Sequence, residues 1–113
     1  YNLDSIVLSR SYNKHIDLLP YYTNAATVGD EFTKYVNNIN PYLYTLKMGY
    51  YFSQHINNLP HNIFNIYLGY SFNYKIYFIP LKCRYVIINN SYKYKSYVLN
   101  ITNKTMSEVI INI

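Results

Sequence analysis

The chain has 113 residues, a formal net charge of +5 and a hydrophobic content of 50%, which suits one domain with a core and excludes a disordered polymer. Its one cysteine, Cys83, cannot close an internal disulfide and belongs to no cysteine-based zinc pattern, so the chain needs no oxidising compartment. No apolar run approaches the roughly 18 residues that span a bilayer, and no segment joins a charged start to an apolar centre as a signal peptide does, so an intracellular chain with no membrane partner is expected.

From about residue 3 to residue 102 the sequence matches itself at a spacing of 20 without a gap. A fixed period of this size sets the architecture before any single element is assigned. Within each copy the first apolar series is Ile6, Ala26, Leu46, Ile66, Val86, and the next, two residues on, is Leu8, Val28, Met48, Leu68, Ile88. Ser9, Gly29, Gly49, Gly69 and Asn89 follow, then the aromatic series Tyr12, Phe32, Phe52, Phe72, Tyr92. Ile16, Val36, Ile56 and Ile76 come next, and this series fails at Ser96. Each copy closes on Leu19, Ile39, Leu59, Ile79 or Leu99, followed by Pro20, Asn40, Pro60, Pro80 or Asn100. The expected coils are therefore about 3–22, 23–42, 43–62, 63–82 and 83–102 of a single repeat domain covering 1–113. Residues 103–113 read as a degraded sixth copy or a cap. The first residue is Tyr1 and not Met, and the domain is expected to be part of a longer protein.

The alternating pieces Asn65-Ile66-Tyr67-Leu68 and Tyr85-Val86-Ile87-Ile88 have the period of two and the β-branched and aromatic content of strands, with Ile66 and Leu68 facing inward. Glycine after each strand is read as relaxing the backbone for a turn, and proline as fixing φ on the return side, where no ladder donor is needed. Twenty residues leave no room for a long helix between strands. One coil cannot bury its own apolar side chains, so the coils must stack, with parallel strands about 4.8 Å apart and the aromatic series forming a continuous internal column.

The copies FSQHINNLPHNIFNIYLGYS (52–71) and FNYKIYFIPLKCRYVIINNS (72–91) resemble FNIP repeats, leucine-rich-repeat relatives of slime moulds and mimivirus-type giant viruses. The shared elements are FN or FS, an Ile four residues after the Phe, then LP or IP, then LxxLxLG. The match covers about 3–102 and is strongest over 43–82; it departs where Asn40 and Asn100 replace Pro and where Thr23 replaces an apolar residue. The resemblance implies a mainly β, leucine-rich-repeat-like solenoid with a parallel sheet on one face and little or no helix. It also implies a protein-binding role, in some relatives beside an F-box, although no F-box-like segment is visible in this chain.

Residues that could carry chemistry are few. His15 and His55 occupy one repeat position two coils apart, about 10 Å at ordinary strand spacing, too far to share a metal. His61 follows Pro60 in an expected turn. Asp30 and Glu31 are adjacent and point apart, which makes them poor partners for acid and base work. Cys83 falls in the series Leu3, Thr23, Leu43, Ile63, Cys83 and reads as a small core residue. No nucleophile elbow, phosphate-cradling glycine loop or metal-ligand spacing occurs, so the expectation is a non-enzyme with no cofactor and no metal. Asn100-Ile101-Thr102 and Asn103-Lys104-Thr105 match the glycosylation pattern, as chance predicts in so Asn-rich a chain.

Charge says more. From Phe32 to Ser107 there is no Asp or Glu, while Lys34, Lys47, Lys75, Lys82, Arg84, Lys93, Lys95 and Lys104 are basic, so an acidic partner is expected. SYKYKSY (91–97) interleaves Lys with Tyr, a combination that can pair phosphates and stack bases; read as a strand, it puts Lys93 and Lys95 on one face and Tyr92 and Tyr94 on the other. The first expectation is protein recognition through the outer face of the sheet, carried by Thr45, Lys47, Asn65, Tyr67, Tyr85 and Ile87, with Tyr50 and Tyr70 on its rim. The alternatives are a structural component of a giant-virus particle and, third, nucleic-acid binding through the basic surface. The solenoid ends, which expose strand edge and apolar side chains, are expected to be covered by a preceding segment, a second copy or another subunit such as a virion protein.

Overall fold

The computed structural model describes residues 4–16, 19–20, 22–36, 39–56, 59–77, 79–102 and 108–112. It is a parallel β-solenoid of about five turns. Among the described residues its strands are β1 (Asp4–Val7), β2 (Thr23–Thr27), β3 (Thr45–Lys47), β4 (Asn65–Tyr67), β5 (Tyr85–Asn89) and β6 (Glu108–Asn112), with one helix, α1 (Lys95–Thr102), between the last two. All six strands lie in one sheet in chain order, each parallel to the next.

The period of the sequence is the register of the sheet. Ala26 pairs with Leu46, Leu46 with Ile66 and Ile66 with Val86, a step of twenty each time. These four are buried, as are Val28, Met48, Leu68 and Ile88, so the two apolar series form the inner face. The ladder continues past the short strands, because Val28 N–H donates to the Lys47 carbonyl, Met48 to Tyr67 and Leu68 to Ile87, at 2.8–2.9 Å. Behind the sheet the aromatic column is continuous: ring centroids lie 6.1 Å apart from Phe32 to Phe52, 6.1 Å from Phe52 to Phe72 and 5.5 Å from Phe72 to Tyr92. The Tyr92 hydroxyl donates to the Tyr74 carbonyl at 2.7 Å, which lets a phenol stand in a column of phenyl rings.

The return to the sheet is a tight turn in which the N–H of Thr23, Ile63 and Cys83 donates to the carbonyl of Pro20, Pro60 and Pro80. Asn40 makes the same turn with Leu43 without being proline. Its buried side chain donates to the Pro20 and Thr23 carbonyls at 3.0 and 2.8 Å and accepts from Tyr42 N–H at 2.9 Å, so hydrogen bonds fix the corner that a ring fixes elsewhere. Thr23 is fully buried, and among the described residues its Oγ1 has no hydrogen-bond partner. A desolvated, unpaired hydroxyl costs about 1–3 kcal/mol, and valine has the same shape without it. Thr23→Val is therefore expected to stabilise the fold by about 1 kcal/mol or more, read as a melting temperature raised by about 4 °C or more.

Two expectations need correction. First, none of the three glycines has a left-handed φ; instead each sits where one coil touches the next. A Cβ on Gly49 would overlap the Gly29 carbonyl and Asp30 N, one on Gly69 would overlap the Gly49 carbonyl, and one on Gly29 would meet Arg10 Cα and the Ser9 carbonyl. Second, residues 91–97 are not a strand but a turn that runs into α1. Where Ser96 breaks the repeat, Tyr94, Val98 and Ile101 take over at helical spacing, with Val98 buried and the other two packed against the core. Lys75 Nζ lies 4.2 Å from the Tyr97 ring and holds the helix to the preceding coil. The tail, read from the sequence as a degraded sixth copy or a cap, adds a strand. β6 pairs with β5 at a step of 23, Val86 to Val109, so the helical connection adds three residues to the coil. The coil start at Leu3 and the segment 103–107, with its Asn103-Lys104-Thr105 pattern, lie outside the described residues.

Candidate interaction face

The parallel register brings the sequence-predicted outer residues together in two rows that cross the strands. Thr45, Asn65 and Tyr85 form one row, continued by Glu108; Lys47, Tyr67 and Ile87 form the other, continued by Ile110. Asn65 Nδ2 donates to Thr45 Oγ1 at 3.1 Å along the first row, and Lys47 Nζ lies 5.7 Å from the Tyr67 ring in the second. Asn65, Tyr67, Tyr85, Ile87 and Ile110 line an open depression of about 440 Å³. Ile87 points outward as expected, yet it is only 6% exposed and lies outside the main core, so it is the floor of this depression and not a projecting contact.

Tyr50 and Tyr70, in the turns that follow β3 and β4, stack at 5.1 Å, both exposed, with Tyr51 and Tyr50 in a T-shaped contact. The positions just before the strands hold residues that strand alternation misses. Tyr44 and Phe64 stack at 4.9 Å, Phe64 meets Tyr85 edge-on at 5.8 Å, and the Arg84 guanidinium lies 5.8 Å from the Tyr85 ring. Leu43, Ile63 and Cys83 point inward, and a period of two would send positions 44 and 45 to opposite sides. The backbone breaks that period: the Tyr44 carbonyl accepts from both Phe64 and Asn65, and the Phe64 carbonyl from both Arg84 and Tyr85. Tyr44 and Arg84 are exposed beside half-buried Thr45 and Tyr85. The signal available in the sequence was the repeat column itself, which stacks positions 44, 64 and 84.

Elsewhere the reactive residue types are tied down or apart. Burial pushes the Cys83 thiol up from 9.0 to about 11, so at neutral pH it is a protonated core residue and not a nucleophile. Burial likewise raises Tyr92 to about 12. His15 and His61 are exposed, and His55 packs on the Tyr74 ring at 4.2 Å. Asp30 holds Tyr50 N–H at 3.0 Å and faces Arg10 at 3.9 Å, which makes it a coil-to-coil tie. Among the described residues no group of three His, Cys, Asp or Glu is placed to hold a metal, and no helix is long and apolar enough to cross a membrane. Comparison of the chain with protein-family models, with curated proteins and with solved structures returns no match.

Proposed function

We propose that this chain is a non-enzymatic interaction module, an FNIP-like repeat array that recognises another protein inside the cell through the outer face of its parallel sheet. The observation that carries the reading is the composition of that face. Tyr67 and Tyr85 wall a depression floored by Ile87, the Tyr44–Phe64 stack backs Tyr85, and Lys47 and Arg84 lie beside the two walls. Aromatic side chains around an apolar floor desolvate well, and each fixes few torsions on binding, which is why such residues dominate interface energetics. Nucleic acid fits less well, because the 91–97 segment is a turn running into α1 and not a strand that presents Lys93 and Lys95 on one face: Lys93 lies 5.1 Å from the Tyr94 ring, and Lys95 donates to Asn90 at 2.8 Å.

The test is the double substitution Tyr67→Ser with Tyr85→Ser, followed by capture from a lysate of the source cells and a thermal melt. Neither residue belongs to the main core, so the melting temperature is expected to hold. Two truncations of about 1 kcal/mol each should weaken capture of whichever protein the unaltered chain retains by about thirtyfold. Unchanged capture would place the partner elsewhere on the solenoid, and a lost fold would mean that these tyrosines are structural.

A further inference from the structure

The depression is short and its surroundings are one-sided in charge, and together these features define what can fill it. Its lining residues come from β4, β5 and β6, so it runs across strands, along the axis of the solenoid. Three strands at about 4.8 Å spacing span about 10 Å, the length of roughly three extended residues. The floor is Ile87, the exposed Ile110 adds a second aliphatic side chain at the β6 end, and the walls are the tyrosines 67 and 85. Cations stand on two sides: Lys47 beyond Tyr67, and Arg84 beyond Tyr85. Glu108 is the only acidic residue of the chain after Glu31. It meets Arg84 at 3.9 Å with both side chains about half exposed, a weak pairing that an incoming carboxylate can displace.

We infer that the face binds a short extended segment of another protein in which an aliphatic or aromatic side chain is flanked by Asp or Glu. The apolar anchor enters between Tyr67 and Tyr85 onto Ile87 and Ile110, and the flanking carboxylates reach Lys47 and Arg84. A nucleotide base suits the site poorly, because a base stacks on a free ring face, whereas Lys47 lies over the Tyr67 ring and the Arg84 guanidinium over the Tyr85 ring. Buried apolar area supplies the affinity, and the two cations supply orientation and discrimination against basic segments. This inference rests on the proposed reading of the face as a protein-binding surface.

The test uses the unaltered chain and a fluorescein-labelled peptide in which leucine is flanked by glutamates, read by fluorescence anisotropy. Two counterparts carry lysines in place of the glutamates, or serine in place of the leucine. The acidic leucine peptide is expected to bind at least about tenfold more tightly than either counterpart. Lys47→Glu and Arg84→Glu are exposed charge reversals that leave the core intact, and each should weaken the acidic peptide while strengthening the lysine peptide. That exchange of preference is a readout which loss of folding cannot produce. Equal binding of all the peptides, or none, would overturn the inference, as would indifference to the reversals. Displacement of the peptide by oligothymidine would assign the face to nucleic acid, and an Ile110→Ser-sensitive dimer would assign it to a second copy; both overturn it. If no peptide binds while the double tyrosine variant still loses its natural partner, the segment chemistry is wrong and the interaction face stands.

Discussion

Truncating Phe52 to alanine is expected to cost about 3–5 kcal/mol. Phe52 is fully buried, and its ring lies 6.1 Å from Phe32 on one side and 6.1 Å from Phe72 on the other. The cavity left behind cannot close by bringing those rings together. Their separation is set by the backbone ladder, in which Val28 N–H is bonded to Lys47 and Met48 N–H to Tyr67. Tyr12, which is only partly buried, should cost less when truncated. A chain of this length has about 6–17 kcal/mol of total stability, so Phe52→Ala removes a large share of it and Phe52→Leu, which fills most of the space, much less. Urea unfolding followed by circular dichroism measures both. A loss below about 1 kcal/mol for Phe52→Ala would show that the aromatic column is not the spine of the solenoid.

The sequence exposes the parts of this fold that depend on period, and hides the parts that depend on where period fails. Ala26, Leu46, Ile66 and Val86 could be aligned because stacking coils forces one side chain of each to the same depth, and Phe32, Phe52 and Phe72 followed for the same reason. Outer residues such as Lys47 and Tyr67 were legible by alternation from those buried neighbours. Tyr44, Phe64 and Arg84 were not, because a shared carbonyl acceptor turns two successive residues outward, and nothing in the side-chain pattern records a backbone bond. Helix α1 was hidden by the assumption that the repeat continues. Once Ser96 breaks the Ile series, the spacing of Tyr94, Val98 and Ile101 is that of a helix face, and the additional three residues before β6 give the helix its room. Ile87 shows a further limit: alternation puts it on the outer side of β5, but not that it would be only 6% exposed, at the bottom of a depression it shares with Tyr67 and Ile110 of the neighbouring strands.

Glycine is the case in which two physical reasons leave the same letter in the sequence, and the sign of one substitution separates them. Where a glycine has a φ that other residues adopt and open space beside it, alanine stabilises by about 0.4–1 kcal/mol, because the unfolded chain loses freedom. Gly49 meets the first condition, having no left-handed φ, and fails the second. Its added Cβ would fall onto the Gly29 carbonyl and Asp30 N, which are backbone atoms and cannot rotate away as a side chain can. Moving them would force apart coils whose strands are bonded on either side, at Ala26 with Leu46 and through Tyr51 N–H to the Asp30 carbonyl. Gly49→Ala is therefore expected to destabilise by about 3 kcal/mol, at the upper end of ordinary overpacking because the obstacle is main chain. Asn89 supplies the control. It occupies the same repeat position, but there β5 runs on through residue 89 as strand, and the Asn89 side chain accepts from Ser91 N–H at 2.9 Å. Asn89→Gly should remove that bond and the one from the Ser91 hydroxyl at 2.8 Å, both solvent-exposed, and cost only about 1–2 kcal/mol. Denaturant melts of the two variants give the comparison directly: a stabilised Gly49→Ala would show that the coils have space between them at this corner and that backbone freedom, not contact, is what the glycine column supplies.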